Sequence, residues 1–256
     1  MVSTRSHPTA FPSPTASPTK RSLTPSSDNG TLLAPTTPST RGRRAAAQKG
    51  WSHTPSNLTL IWLAISLPLV IWDTGYVLLR PYSMPGGALH WPLWVPYELY
   101  GRIDHVYGFK AWNAGLGFTG AQGTLNAVET IGYMAYLWVV YKHGVQERVD
   151  GRGAPDPAKV GFLGMARTVR GRQAGAAVLL GFSIAVMTWS KTVLYWLNEA
   201  FSGFEGLGHN DFVTLFFLWL IPNGAWIVFP VYMTYVFGSE ILEGLSIAAG
   251  ETKKSQ

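Results

Sequence analysis

The chain has 256 residues, of which 47% are hydrophobic and 13% are charged, and its formal net charge is +6. A typical soluble domain carries about 25% charged residues, so this composition argues against a soluble enzyme. Because cysteine is absent, disulfides, thiolate nucleophiles and cysteine-ligated zinc are excluded. The Lys and Arg residues flank apolar stretches, which favours a membrane over nucleic acid as the partner.

The N-terminal segment differs from the rest of the chain. Residues 1–50 are dominated by Ser, Thr and Pro. Such a segment buries too little apolar surface to offset its ordering entropy, so we expect a disordered tail over residues 1–50.

Four later stretches reach the roughly 20 apolar residues that a spanning helix needs. They are residues 58–79, 116–141, 174–198 and 212–237. The sequence therefore predicts an all-α integral membrane fold, a small bundle of about four transmembrane helices, with the domain over residues 57–240.

The basic residues of the loops predict the orientation of this bundle. The second loop carries seven Lys and Arg residues between Lys142 and Arg172, whereas the third loop, about 199–211, has none. We therefore expect both termini in the cytoplasm, with residues 241–256 as a cytoplasmic tail. The first loop, about 80–115, is rich in Pro, Trp and Tyr, and we expect it to form a packed cap or a lid over a cavity on the lumenal side.

Two carboxylic acids, Asp73 and Glu129, interrupt the first and second apolar stretches. An acid near the bilayer centre costs roughly 2.5–3.5 kcal/mol even on lenient scales, so both acids mark a functional site. Their depth along the helices places Asp73 level with Lys191 of the third span. This leaves two compatible interpretations: a buried ion pair between Asp73 and Lys191, or an acid–base pair of Asp73 and Glu129 that Lys191 tunes.

Residues at helical spacing form stripes on all four spans. The first span carries Ser66 and Asp73, with Tyr76 close by; the second carries Thr119, Gln122, Asn126, Glu129 and Tyr133; the third carries Thr188, Lys191, Thr192, Tyr195 and Glu199; the fourth carries Trp219, Pro222, Asn223, Trp226 and Pro230. Lipid offers no hydrogen bonds, so we expect these stripes to face inwards and to form a cavity with polar walls. The histidines lack the spacing of a metal site, so we expect no metal.

Four segments carry a resemblance to a known family. They are Asp73-Thr-Gly-Tyr-Val-Leu, Tyr100-Gly-Arg-Ile-Asp104-His-Val-Tyr107, Val128-Glu129-Thr130-Ile131 and Asn223-Gly-Ala-Trp226-Ile-Val-Phe-Pro230. In order and spacing they resemble the EXPERA-domain family, and within it the sterol Δ8–Δ7 isomerases, over about residues 60–240. The resemblance implies a site made of Asp73, Glu129, Asn223 and Trp226, and no cofactor.

The resemblance further implies an isomerase that shifts a ring double bond through a buried carbocation. An acid protonates one alkene carbon and a base removes a proton from a neighbouring carbon. In this hypothesis Glu129 is the acid and Asp73 the base, although the two roles could be reversed. Trp226 would stabilise the cation and Asn223 would hold Glu129 by a hydrogen bond. Three further polar residues would contact the substrate: Asn126, Tyr195 and Lys191.

The chain departs from that family in ways that keep an alternative open. Leu69 stands where the isomerases have a His, Gly132 stands where they have a Thr, and Lys191 is not expected in an isomerase. The alternatives are a non-catalytic sterol-binding or trafficking protein, or an isomerase or cyclase acting on another terpenoid. The expected partners are a sterol or other apolar terpenoid and the lipid bilayer, without nucleic acid; a homodimer is compatible with the sequence. The family implies the endoplasmic reticulum.

Overall fold

The computed structural model describes residues 51–146 and 167–250. The tail predicted over residues 1–50, most of the second loop and the last six residues lie outside the described residues. The described elements, in chain order, are β1 (Ser52–His53), α1 (Asn57–Leu78), α2 (Pro96–Ile103), α3 (Phe109–Asn113), α4 (Phe118–His143), β2 (Val145–Gln146), β3 (Arg167–Arg170), α5 (Gly171–Phe201) and α6 (Phe212–Ala248).

The four long helices α1, α4, α5 and α6 correspond to the four predicted spans. Helices α1, α5 and α6 are both long and apolar enough to cross a membrane. Helix α4 has the length, at 26 residues, but its polar stripe makes it less apolar. The predicted fold class, a helical membrane bundle, is confirmed. Helix α6 runs on to Ala248 and so includes part of the predicted C-terminal tail.

Local sequence explains where two of these helices begin. The Ser56 hydroxyl accepts a hydrogen bond from the Thr59 amide at the start of α1, at 3.1 Å. The Asp211 carboxylate likewise accepts from the Thr214 amide at the start of α6, at 3.0 Å. Both side chains satisfy an amide that has no partner within the helix itself.

The predicted inward direction of the polar stripes is confirmed by burial. On α4, Asn126, Glu129 and Tyr133 are buried, and on α5 Thr188 and Tyr195 are buried. Leu, Ile and Val side chains cover the outer faces of the helices and are exposed. This distribution is the one that a lipid environment favours, because polar groups find hydrogen-bond partners inside the bundle.

The first loop forms the packed cap that its composition predicted. We use "the cap" for residues 80–115, which include α2 and α3. The indole of Trp72 in α1 donates to the carbonyl of Leu93, at 2.8 Å, and the indole of Trp94 donates back to the carbonyl of Trp72, at 3.1 Å. The rings of Tyr76 and Tyr97 stack with centroids 3.8 Å apart. These contacts fasten the cap to the first helix.

At the end of the bundle away from the cap, a small sheet closes the structure. The strand β3 lies between β1 and β2 and pairs antiparallel with both. His53 of β1 lies inside the bundle. Its Nδ1 lies 2.6 Å from Glu240 of α6, and its Nε2 lies 2.9 Å from the Tyr136 hydroxyl of α4. The sequence analysis did not predict this buried cluster.

Candidate functional site

A cavity of about 410 Å³ lies between the cap and the four long helices. Its volume is within the range of about 300–1,000 Å³ that is typical of small-molecule sites. Six of the residues predicted for the site line it, namely Asp73, Asn126, Lys191, Tyr195, Asn223 and Trp226. Asp73 is the one carboxylic acid among the described residues of its lining.

Two donors hold the Asp73 side chain from opposite sides. The Tyr97 hydroxyl of the cap donates to Oδ1 at 2.7 Å, and the Asn126 amide of α4 donates to Oδ2 at 2.9 Å. Each carboxylate oxygen therefore accepts a hydrogen bond from a different element. Such a two-sided arrangement fixes the rotamer of Asp73 and directs its carboxylate to the cavity wall.

Asn126 also connects Asp73 to Lys191 of α5. The Lys191 ammonium donates to Oδ1 of Asn126 at 2.5 Å. Because an ammonium only donates, the atom that faces it must be the amide oxygen, and the amide nitrogen must therefore face Asp73. The orientation of Asn126 is thus determined by chemistry at both ends, and Oδ2 of Asp73 is an acceptor.

Lys191 forms its ion pair with Glu129, not with Asp73. The Lys191 Nζ lies 3.0 Å from Oε2 of Glu129, and both side chains are at least 90% buried. The buried pair that we predicted between Asp73 and Lys191 is therefore wrong in its partner. Asn126 lies one helical turn before Glu129 and comes between Lys191 and Asp73, so the ammonium reaches Glu129 instead.

The structure places Glu129 behind the cavity wall. Its side chain is buried, and it is paired with Lys191 without itself lining the cavity. We expected Asn223 to hold Glu129, and this is also wrong. The Asn223 amide donates instead to the carbonyl of Trp219, at 2.9 Å, and points to the Tyr100 hydroxyl, at 3.4 Å. The position of a residue along its own helix contains no information on the rotation of α4 and α6, and that rotation decides whether Asn223 reaches Glu129.

A π-helical turn, Phe216–Leu220, precedes Pro222 in α6 and shapes this side of the cavity. Proline has no amide hydrogen, so it fits a position where the regular ladder is already interrupted. The bond from Asn223 to the Trp219 carbonyl satisfies an acceptor within this turn. One turn further on, the Trp226 ring lines the cavity and packs edge-on against Trp62, with centroids 5.0 Å apart.

The cap supplies three tyrosines to the cavity that the sequence analysis did not include in the site: Tyr97, Tyr100 and Tyr107. Burial raises the pKa of the Tyr97 hydroxyl well above its ordinary value, and the nearby Asp73 adds to this effect. The pKa values of Tyr100 and Tyr107 are raised by burial as well. All three hydroxyls therefore stay protonated. The aromatic richness of the loop was the available signal, but it did not say which rings face inwards.

A further buried acid, Asp104, joins the cap to α6. Its Oδ1 accepts from the Val106 amide and its Oδ2 accepts from the Trp219 indole, each at 3.0 Å. Burial raises the pKa of Asp104 to about 7, and both hydrogen bonds oppose that rise. Since Val106 lines the cavity, the cap is held in register with α6 directly beside the site.

The described part of the chain contains no cluster of side chains that could bind a metal ion. No group of three His, Asp or Glu residues there is arranged to hold an ion. Comparisons of the chain with protein-family models, with curated proteins and with solved structures found no match.

Proposed function

We propose that this protein is a membrane-embedded isomerase that shifts a ring double bond of a sterol from Δ8 to Δ7. The observation that carries the proposal is Asp73, the one carboxylic acid that the described residues bring to the wall of a cavity sized for a small molecule. A proton-exchanging acid inside a membrane bundle is costly and marks function by default. The motif resemblance to the EXPERA-domain family, in its emopamil-binding-protein branch, supports the same reaction.

Asp73 is the group that exchanges protons with the substrate in this proposal. Asp73 and Glu129 share one cation, Lys191, and Lys191 contacts Glu129 directly. Uptake of one proton by Asp73 therefore leaves the cluster neutral, which a low-dielectric site favours. Because Oδ2 accepts from Asn126, the proton resides on Oδ1, where the Tyr97 hydroxyl can turn from donor to acceptor.

The reaction then uses one carboxyl group twice. Oδ1 gives its proton to one alkene carbon, and the π electrons form the new C–H bond and leave a carbocation on the adjacent ring carbon. The Asp73 carboxylate next removes a proton from the carbon on the other side of that centre, and the double bond forms there. Trp226 faces the cavity and stabilises the cation through its ring. Glu129 has the role of counter-ion to Lys191, so Asp73 performs the acid step that was expected of Glu129 as well as its own base step.

A yeast strain that lacks its own sterol isomerase tests the proposal. Expression of the full chain should convert accumulated Δ8 sterol to Δ7 sterol, measured by mass spectrometry of extracted sterols. Asp73→Asn keeps the size and the acceptor at one oxygen but cannot deliver the acidic proton, so conversion should be lost. Good expression of the unmodified chain without any Δ7 sterol would contradict the proposal.

The second candidate function is a non-catalytic sterol-binding protein of the same fold. It is favoured by Leu69, which lines the cavity one turn before Asp73, at the position where the resembled isomerases have a His. An apolar side chain there cannot relay a proton. Binding of a photoreactive sterol that Trp226→Ala weakens, together with no Δ7 product in yeast, would favour this function over the isomerase.

The location belongs to the proposal too. The basic residues of the second loop and the family resemblance support the endoplasmic reticulum, with both termini in the cytoplasm and the cap in the lumen. Protease protection of an epitope inserted in the cap, in sealed microsomes, tests this orientation.

A further inference from the structure

The Lys191 ammonium can donate a hydrogen bond to a ligand in the cavity. An ammonium carries three N–H groups. Within the described residues one of them is donated to Oδ1 of Asn126, at 2.5 Å. The Nζ atom also lies 3.0 Å from Oε2 of Glu129, with which it forms an ion pair. Lys191 lines the cavity, so an N–H group that is not donated to Asn126 is available to an oxygen atom of a bound ligand.

The same wall places a base beside this cation. Asp73 lines the cavity, and in its ionised form it accepts a hydrogen bond at each carboxylate oxygen, from Tyr97 and from Asn126. A single side-chain amide, that of Asn126, separates it from the Lys191 ammonium. A carboxylate that can remove a proton and a cation that can hold an oxyanion thus face one apolar cavity, and Glu129 keeps the cation in place from behind.

We propose that this cavity isomerises ring ketones, moving a β,γ double bond into conjugation with the carbonyl group. Lys191 binds the ketone oxygen and Asp73 carries the proton. The proposal goes beyond the Δ8–Δ7 reaction by naming a second substrate class, unsaturated ring ketones, and it rests on the proposed role of Asp73 in proton exchange.

The steps balance without any further reactant. The Asp73 carboxylate removes the proton from the carbon between the carbonyl group and the double bond. The electrons of that C–H bond form a dienolate, whose negative oxygen lies against the Lys191 ammonium. Protonated Asp73 then returns the same proton to the γ-carbon, and the double bond forms between the α- and β-carbons. The product is the conjugated enone, and the enzyme is unchanged.

The chemical character of Lys191 favours this substrate class. An ammonium is too weak an acid to protonate an alkene carbon, so the carbocation route gives Lys191 no direct contact with the reacting atoms. A fixed positive charge beside a developing oxyanion is in contrast one of the strongest catalytic contributions that a protein makes. A carboxylate base paired with oxyanion donors in an apolar cavity is an established arrangement for ketone isomerisation.

The test uses the purified full-length protein in lipid nanodiscs with a 5-ene-3-ketosteroid. Product formation is followed by the ultraviolet absorbance of the conjugated enone, and a Δ8 sterol is assayed on the same preparation. We expect enone formation that is lost in Asp73→Asn. The double variant Lys191→Met, Glu129→Gln removes the cation without leaving a buried charge unpaired, and its enone rate should fall by about 10²–10³-fold. Lys110→Met, which changes an exposed lysine of the cap, should leave that rate unchanged.

The pH dependence provides a readout that needs no variant. Ketone isomerisation begins from the Asp73 carboxylate and should rise as pH rises, whereas Δ8 conversion begins from protonated Asp73 and should rise as pH falls. Absence of enone formation by a preparation that converts Δ8 sterol would overturn the inference and leave the proposed function standing. Absence of both conversions would overturn both. An enone rate unaffected by the double variant would overturn the role of Lys191.

Discussion

The buried ion pair between Lys191 and Glu129 makes Lys191→Met the most informative single substitution for stability. The two side chains are 10% and 3% exposed and their charged atoms are 3.0 Å apart. Methionine has a similar length but no charge, so Glu129 would keep its negative charge without a counter-ion and Asn126 would lose a donor. Breaking a buried pair by removal of one partner costs about 3–5 kcal/mol in the free energy of unfolding.

Lys110 of the cap provides a control, because it forms the same type of ion pair as Lys191 but at an exposed position. Lys110 and Glu205 also pair at 3.0 Å, but their side chains are 52% and 72% exposed. An exposed pair contributes about 0–1 kcal/mol because water screens both charges. Lys110→Met therefore changes the same residue type, with the same type of partner at the same distance, and should cost several kcal/mol less than Lys191→Met.

Both variants can be compared with the unmodified protein by equilibrium unfolding in mixed micelles, with circular dichroism as the readout. The double variant Lys191→Met, Glu129→Gln should recover much of the loss, because no unpaired charge then remains. If Lys191→Met cost no more than Lys110→Met, or if the double variant were less stable than Lys191→Met alone, the burial and pairing of Lys191 would be refuted.

Two further predictions concern buried groups outside the cavity. The pKa of Asp104 lies near 7 in the folded chain against an ordinary value of 3.8, so its contribution to stability is fully present below about pH 4 and is lost as pH rises through 7. That loss amounts to about 4 kcal/mol at most, and Asp104→Asn should flatten a plot of melting temperature against pH over this window; an unchanged slope would contradict the assignment. Tyr136→Phe removes the hydroxyl that lies 2.9 Å from His53 and should lower the free energy of unfolding by about 1–3 kcal/mol, whereas Tyr141→Phe, on an exposed ring, should have little effect.

Much of the fold could be read from local sequence. Helices α1, α4 and α5 begin and end within a few residues of the predicted spans, because runs of apolar residues about 20 long have few other stable solutions in a membrane. Helix α6 begins at the predicted residue but continues to Ala248, well beyond the predicted end at residue 237. The inward direction of the stripes on α4 and α5 was predictable for the same reason. The Trp, Tyr and Pro content of the cap predicted a packed element. It did not predict the two helices α2 and α3 that the cap contains.

The sequence predicted which residues belong to the site better than it predicted which of them contact one another. Asp73, Asn126 and Lys191 were identified from spacing and depth along single helices, and all three line the cavity. Which acid forms the ion pair with Lys191 depends on how α4 and α5 are rotated against each other. The sequence of a single helix contains no information about that rotation. Tyr97 could not be assigned at all, because its place beside Asp73 follows from how the cap folds back on α1.

Lipid imposes its pattern on each helix separately, so the apolar runs alone are sufficient to predict a helical membrane protein with costly polar groups inside its spans. That Asp73 faces the cavity and that Glu129 lies behind Lys191 follows only from the packing of the helices against one another. Hydrogen bonds and ion pairs between side chains act over about 3 Å, so a small rotation of one helix changes which partner is within reach.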